Sequence, residues 1–250
     1  MNFRPCIDIH SGKVKQIVGG SLTDNAEKLV ENFVSDKESS YYAEMFKNDG
    51  LTGGHIIMLG PGNDEEAFKA LKAYPKGMQI GGGITADNAQ IYLENGASHV
   101  IITSYVFKDG EINYENLNKV VKRIGKENLV LDLSCRSKDG KYYVVTDRWQ
   151  KFTNLQVNQD TIKELERYCN EFLIHAVDVE GKCRGIQANL VEALGKWVTI
   201  STTYAGGVSS FEDMGEIKAL GQNKIDVTIG SALDIFGGDL SYRAVVEWCK

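Results

Sequence analysis

A chain of 250 residues, 42% hydrophobic and 25% charged, has the size and balance of one large globular domain or two small ones. Its net charge of −6 argues against a broad nucleic-acid-binding face, so an anionic ligand would have to be gripped by backbone dipoles and a few basic side chains. The five cysteines form no CxxC pair or zinc-type spacing, the N-terminus lacks a signal-like apolar core, and no stretch approaches the roughly 20 apolar residues of a membrane span; a reduced cytosolic protein without metal or membrane contact is expected.

Short apolar runs alternate with amphipathic stretches along the whole chain. Phe3–Ile9 reads as the first strand and Ser40–Asn48 as the first helix. His55–Leu59 is followed by a helix over Asp64–Tyr74, with Asn63 placed to cap it and Pro75 just past its end. Met78–Ile80 precedes a helix over Ala86–Asn95 that Gly96 closes. The remaining pairs are His99–Thr103 with Tyr114–Ile124, Leu129–Leu133 with Asn158–Asn170, and Phe172–Val179 with Gln187–Leu194. Val198–Ser201 with Phe211–Leu220 and Asp226–Ile229 with Leu240–Cys249 complete the series. The runs are continuous and rich in Ile and Val, as parallel strands covered on both faces must be. Eight strand–helix units in about 250 residues predict an α/β fold, a (β/α)8 barrel forming a single domain. An open doubly wound sheet is the alternative, but the first turn, DIHSGK, is not GxGxxG.

The chain repeats itself. Asp132 in VLDLSCR follows Asp8 in CIDIHSGKV by 124 residues, and Gly206-Gly207 follows Gly82-Gly83 by the same distance. Val227–Ser231 resembles Val100–Ser104. Two half-barrels are therefore expected, about 1–126 and 127–250, each with four βα units. Long loops follow the first and fifth runs, at 12–39 and 134–156. Each contains a possible hairpin, VKQIVGG with KLVENFV in one and GKYYVVTDR in the other, and both are expected to overhang the C-terminal face.

The glycines suggest phosphate capture. Gly81, Gly82 and Gly83 lead toward a helix, and so do Gly206 and Gly207. Backbone N–H groups with no Cβ in the way, beside a helix N-terminus, hold phosphate well. The next strand ends carry Thr103-Ser104 and Gly230-Ser231, which completes one candidate cup in each half. Two cups on opposite rims imply a ligand with a phosphate at each end. Asp8 and Asp132 end the first and fifth strands, which are diametrically opposed in an eight-stranded barrel. They would form an acid–base pair across the ligand, provided the acid's pKa is raised. His10, Arg136, Trp149 and Asp178 are candidate substrate contacts; Trp149 would stack on a heterocycle or anchor its loop. His55, His99 and His175 are read as packed, hydrogen-bonded interior groups.

Taken together, CIDIHSGKV, QIGGGI, VLDLSCR, HAVDVEG, TYAGGV and TIGSALDIF resemble the phosphoribosylformimino-aminoimidazole-carboxamide ribonucleotide isomerases of histidine biosynthesis, in their eukaryotic branch, over residues 3 to about 240. The resemblance implies a duplicated half-barrel that converts a bisphosphorylated aminoaldose to its aminoketose, an Amadori rearrangement, without cofactor or metal. It implies that Asp8 is the proton acceptor and Asp132 the proton donor. The sequence departs from the bacterial pattern at LGPGN after the second strand and at AVDVEG after the sixth, where no threonine stands. The sister cyclase of the same pathway, which needs ammonia from a glutaminase partner, is the nearest rival; its VVKG-like first loop contrasts with KVKQIVGG here. An inactive phospho-ligand-binding barrel is the rival of another class. A monomer is expected.

Overall fold

The computed structural model describes residues 1–17, 31–147, 149–183 and 185–250. Eight parallel strands form its centre: β1 (Cys6–His10), β2 (Gly54–Met58), β3 (Met78–Gly81), β4 (Val100–Ile102), β5 (Leu129–Asp132), β6 (Glu171–His175), β7 (Ser201–Ala205) and β8 (Ile225–Val227). Each pairs in parallel with the next in sequence. The ring closes just ahead of β1. Phe3 bridges Val227 in parallel, the Arg4 N–H donates to the Val227 carbonyl at 2.8 Å, and the Val227 N–H donates to the Asn2 carbonyl at 3.0 Å. Closure leaves no free edge on the eight-stranded ring itself.

The helices are α1 (Ser39–Asn48), α2 (Asp64–Ala73), α3 (Ala89–Glu94), α4 (Tyr114–Ile124), α5 (Gln159–Leu165), α6 (Ala188–Trp197), α7 (Phe211–Leu220) and α8 (Tyr242–Cys249), one after each strand. The main core lies between this outer layer and the strands, where Phe46, Leu71, Val120, Leu194 and Val245 pack on Ile7, Ile56, Ile80 and Phe172. A smaller core of Ile101, Val130, Leu173 and Ala205, with Ile57 against it, fills the barrel interior. This is the expected (β/α)8 barrel.

The period of two in a strand explains how one interior holds both apolar and catalytic-type groups. Val130 and Asp132 share a face of β5, and Leu173 and His175 share a face of β6, so one step up from the apolar layer the interior becomes polar. A step down it is polar again. Glu171 accepts from the Thr203 hydroxyl at 3.0 Å, and Arg4 pairs with Asp226 at 2.8 Å. The middle layer seals the two polar mouths from each other.

Several boundaries differ from expectation, and one expected cap does not form. The seventh strand is Ser201–Ala205 rather than Val198–Ser201. Val198 closes α6, and Thr199 is fastened to Glu166 through its N–H and hydroxyl, at 2.6 and 2.7 Å. Its buried Thr202 and Thr203 read as polar in sequence, yet β-branched threonines suit a strand once their hydroxyls find acceptors. The helix expected from Ala86 begins at Ala89, because Asn88 Oδ1 accepts from the Thr85 N–H at 2.7 Å and holds the preceding residues in a turn. Asn63 stands at the start of α2 but does not cap it; its side chain instead accepts from the Gly12 N–H and donates to the Gly60 carbonyl, tying the first two βα loops together.

Both long loops lie where expected. After β1, Lys13–Ile17 runs antiparallel to β1 and pairs with Glu31–Val34. The rest of that expected hairpin, 18–30, lies outside the described residues. After β5 a three-stranded antiparallel sheet forms from Cys135–Lys138, Lys141–Thr146 and Lys151–Gln156.

Candidate active site

A cavity of about 800 Å³ opens at the C-terminal ends of the strands. Asp8 and Asp132 both line it, from opposite strands of the ring. Gly82, Gly83, Thr103 and Ser104 line it on one side, Gly206, Gly207, Gly230 and Ser231 on the other, and His10 and Trp149 also reach it. The expected constellation is thus brought to one place, with three exceptions. Gly81 belongs to the floor of the barrel: a Cβ there would stand 2.9 Å from the Ile57 side chain and 3.1 Å from that of Ile101. Arg136 and Asp178 do not line the cavity. They bind each other, Arg136 Nε donating to Asp178 Oδ1 at 2.9 Å, while Asp178 Oδ2 accepts from the Ser137 N–H at 2.8 Å. This pair clamps the sheet after β5 to the loop after β6.

The acidic residue that the β6 loop does deliver to the cavity is Glu180, two positions beyond Asp178. Its Oε2 is buried and has no hydrogen-bond partner among the described residues. His175 is the buried, hydrogen-bonded strand residue expected, but it also lines the cavity, with Nδ1 3.4 Å from Asp132 Oδ1. His55 faces the same cavity, its ring centre 6.2 Å from that of His175. His99 lies elsewhere, against Asn170 and Ser98.

The two carboxylates have opposite surroundings. Asp132 is 7% exposed and accepts from the Ser134 hydroxyl at 2.8 Å and the Thr103 hydroxyl at 3.1 Å, in addition to its contact with His175. Burial works against its ionisation, but the His175 charge and these donors outweigh it and hold the carboxyl below its ordinary value. The Thr103 hydroxyl is thus engaged by the carboxylate. Among the described residues the side-chain donor to Asp8 is Gln16 Nε2, at 3.1 Å. Burial first, and the Glu180 carboxylate second, push its pKa up to about 7 against the lowering influence of His175 and Gln16. Burial would lower His175, yet Asp132, with Glu180 and Asp8 beyond it, raises it to about 9. Burial and the charge on His175 take His55 down to about 3. At neutral pH the cavity thus holds a neutral His55, a cationic His175, an ionised Asp132 and an Asp8 near its midpoint.

The phosphate cups are built differently from their expected form. Gly82 and Gly206 have φ of +97° and +122°, and a Cβ at either would strike the carbonyl of the adjacent strand, Met58 O at 2.1 Å or Ala176 O at 2.7 Å. They are glycines so that the chain can turn away from the barrel. Gly83, at φ +69° with nothing within 4 Å of a Cβ, is the one open to a ligand. α3 has only six residues, and the N–H groups ahead of α7 are already used: Asp213 Oδ2 accepts from Ser209 N at 2.7 Å and Ser210 N at 3.0 Å. Dipoles nearer the cups come from two short 3-10 turns, Ser104–Val106 and Asp234–Phe236, which follow the hydroxyl-bearing strand ends as the sequence suggested. Ser231 is held by the first loop: its hydroxyl donates to Gln16 Oε1 at 3.4 Å and accepts from Asn32 Nδ2 at 3.1 Å. Gln16, buried beneath that loop, thereby touches both the cup and Asp8, a role its sequence context did not announce.

Trp149, at φ +67°, places its ring 5.7 Å from that of His175, over the Asp132 side of the cavity. Such a backbone conformation is uncommon outside glycine and marks a side chain held by its surroundings.

Comparison with known proteins matches residues 3–240 to the family described as "Histidine biosynthesis protein". Similar chains include the chloroplastic 1-(5-phosphoribosyl)-5-((5-phosphoribosylamino)methylideneamino) imidazole-4-carboxamide isomerase of Medicago truncatula, 53% identical over 99% of this chain and 81% of the relative. The isomerases of the same name from Yarrowia lipolytica and Saccharomyces cerevisiae are 48% and 46% identical, over 98% and 95% of this chain and 97% and 94% of theirs.

Proposed function

We propose that this chain, which belongs to the histidine biosynthesis protein family, acts on the aminoaldose that its relatives' names describe, a molecule with a phosphoribosyl group at each end. It is an isomerase of histidine biosynthesis. The observation that carries the reading is one cavity of about 800 Å³ with opposed Asp8 and Asp132 between two glycine-and-hydroxyl rims. Each rim takes one phosphate, and the reacting ribosyl unit is suspended between the carboxylates.

The chemistry is a hydrogen shift between adjacent carbons. A proton reaches the ribose ring oxygen as the C1′–O4′ bond breaks, and the nitrogen lone pair forms the C=N bond of a Schiff base. Asp8 then removes the C2′ proton, and the electron pair forms C1′=C2′ while the C=N π pair returns to nitrogen. Protonation at C1′ and loss of the O2′ proton give the ketose. A base poised near neutral pH is well matched to the second step, and Asp8 near 7 meets that requirement. Asp132 supplies the proton for the first step. Trp149 closes over the heterocycle, and His10 borders the pocket beside Asp8. We read the barrel as two fused halves and the protein as a cytoplasmic monomer needing no cofactor. In support, one chain supplies both rims and both carboxylates, and no helix among the described residues is long and apolar enough to cross a membrane.

Purified protein should consume the aminoaldose and form the aminoketose in the absence of ammonia. Asp8→Asn and Asp132→Asn should each lower kcat by about a thousandfold or more while leaving product affinity within a few-fold. Turnover of the ketose with ammonia alone would favour the cyclase instead, and near-normal turnover in either variant would remove that residue from its role.

A further inference from the structure

The free site poses a problem for its own acid. Asp132 is the group placed to give a proton, yet its neighbours favour its ionised form. A donor that is ionised at rest must draw its proton from somewhere within reach. Ser134 and Thr103 donate hydrogen bonds to it but do not ionise near neutral pH. His175 is the remaining partner, and it approaches the carboxylate directly through Nδ1.

We infer that His175 is a positioning residue that holds the proton Asp132 delivers, so that the resting acid is a shared Asp132–His175 pair. This deepens the proposed function and rests on Asp132 being the donor.

Geometry supports a pair that stays together. The Nδ1–Oδ1 separation is 3.4 Å, with both side chains about nine-tenths buried. Trp149 covers the imidazole on the side of the loop after β5, and the His55 ring meets it edge-on from β2. The charged and titratable groups around it are Asp132 at the end of β5, Glu180 in the loop after β6, Asp8 at the end of β1, and His55 on β2. Three carboxylates of one cavity thus act on His175, and the His55 imidazole is kept neutral. The step balances: the Nδ1 proton passes to Asp132 Oδ1 as Asp132 protonates the ring oxygen, leaving a neutral imidazole and an ionised carboxylate. The pair regains one proton from solvent after product leaves. Long contacts of this kind commonly tighten when substrate excludes water.

The test is the pH dependence of kcat/KM for the wild type and for His175→Gln. Wild-type activity should be level between about pH 7 and 9, because the pair keeps its proton until its imidazolium titrates. In His175→Gln the proton must sit on Asp132 alone, so the level region should vanish. Activity should fall about tenfold per unit of pH above 7, to roughly a tenth of its pH 7 value at pH 8 and a hundredth at pH 9, while affinity for the ketose product stays within about threefold. Nitrogen-15 spectra of the wild-type histidines provide an independent reading should the variant fail to fold. One imidazole should titrate near 9, and it should move downward in Asp132→Asn. A level profile in His175→Gln, or a wild-type His175 already neutral at pH 7, would overturn the inference. Near-normal turnover in Asp132→Asn would overturn the parent reading instead, and the two failures are distinguishable.

Discussion

Replacing Glu180 with glutamine should move the acidic limb of the pH–rate profile to lower pH. Asp8 must be ionised to remove the C2′ proton, and its pKa of about 7 is set by burial and by the charge on Glu180. With that value, kcat/KM of the wild type should be roughly a tenth of its plateau at pH 6 and a hundredth at pH 5. An aspartate at the ordinary 3.8 would lose less than about a tenth of its activity at pH 5, so the two cases differ by about two orders of magnitude. The amide side chain keeps the shape of the carboxylate it replaces and removes its charge. Burial remains, so the limb should move part of the way toward the ordinary range, and activity at pH 5.5 relative to plateau should rise several-fold. The substrate's phosphates titrate near 6, but they are the same for both proteins, so the difference between the profiles belongs to the site. Steady-state rates at constant ionic strength from pH 5 to 9 suffice. A wild-type midpoint at or below 5, or an unmoved limb in Glu180→Gln, would refute the argument.

Gln16→Leu should move the same limb the opposite way, to higher pH, because Gln16 donates to the ionised form of Asp8; pH–rate profiles of the two variants side by side check the sign. Asp8→Asn should stabilise the fold at alkaline pH. The folded pKa of Asp8 is raised, so its contribution is fully present below about pH 4 and lost as pH rises through about 7. Urea melts should show the variant ahead by at most about 4 kcal/mol at pH 8, with the gap closing toward pH 4. Gly82→Ala should fail to fold or lose several kcal/mol, since its Cβ would lie 2.1 Å from the Met58 carbonyl. Gly83→Ala should fold at a cost of about 1 kcal/mol for its left-handed backbone and weaken binding of inorganic phosphate several-fold, as calorimetry would measure. Arg136→Ala should change stability by less than about 1 kcal/mol, because its pair with Asp178 is partly exposed, and should raise KM by loosening the sheet that carries Trp149.

Much of this architecture was legible because it depends on local chemistry. Alternating apolar runs and amphipathic helices specify eight βα units whatever the rest of the chain does, and Tyr114–Ile124 and Phe211–Leu220 fall where their periodicity put them. A carboxylate at the end of the first strand and another at the end of the fifth must face each other once eight strands close, so the sequence alone marks Asp8 and Asp132. Local chemistry misled where a polar residue found its partner far along the chain. Thr202 and Thr203 hid β7, and Asp178 drew attention that belonged to Glu180.

What only the closed barrel decides is electrostatic. Whether Asp8 or Asp132 is the easily protonated carboxylate depends on which side chains lie within a few ångströms across neighbouring strands. Gln16 and Glu180 surround one, and His175, Ser134 and Thr103 the other. Those neighbours come from segments up to 172 residues apart in sequence. Periodicity records the face on which a residue lies but not the charge it will meet there. That charge acts over distances in space, through an interior from which water is largely excluded, and it exists only after β8 has closed against the segment before β1.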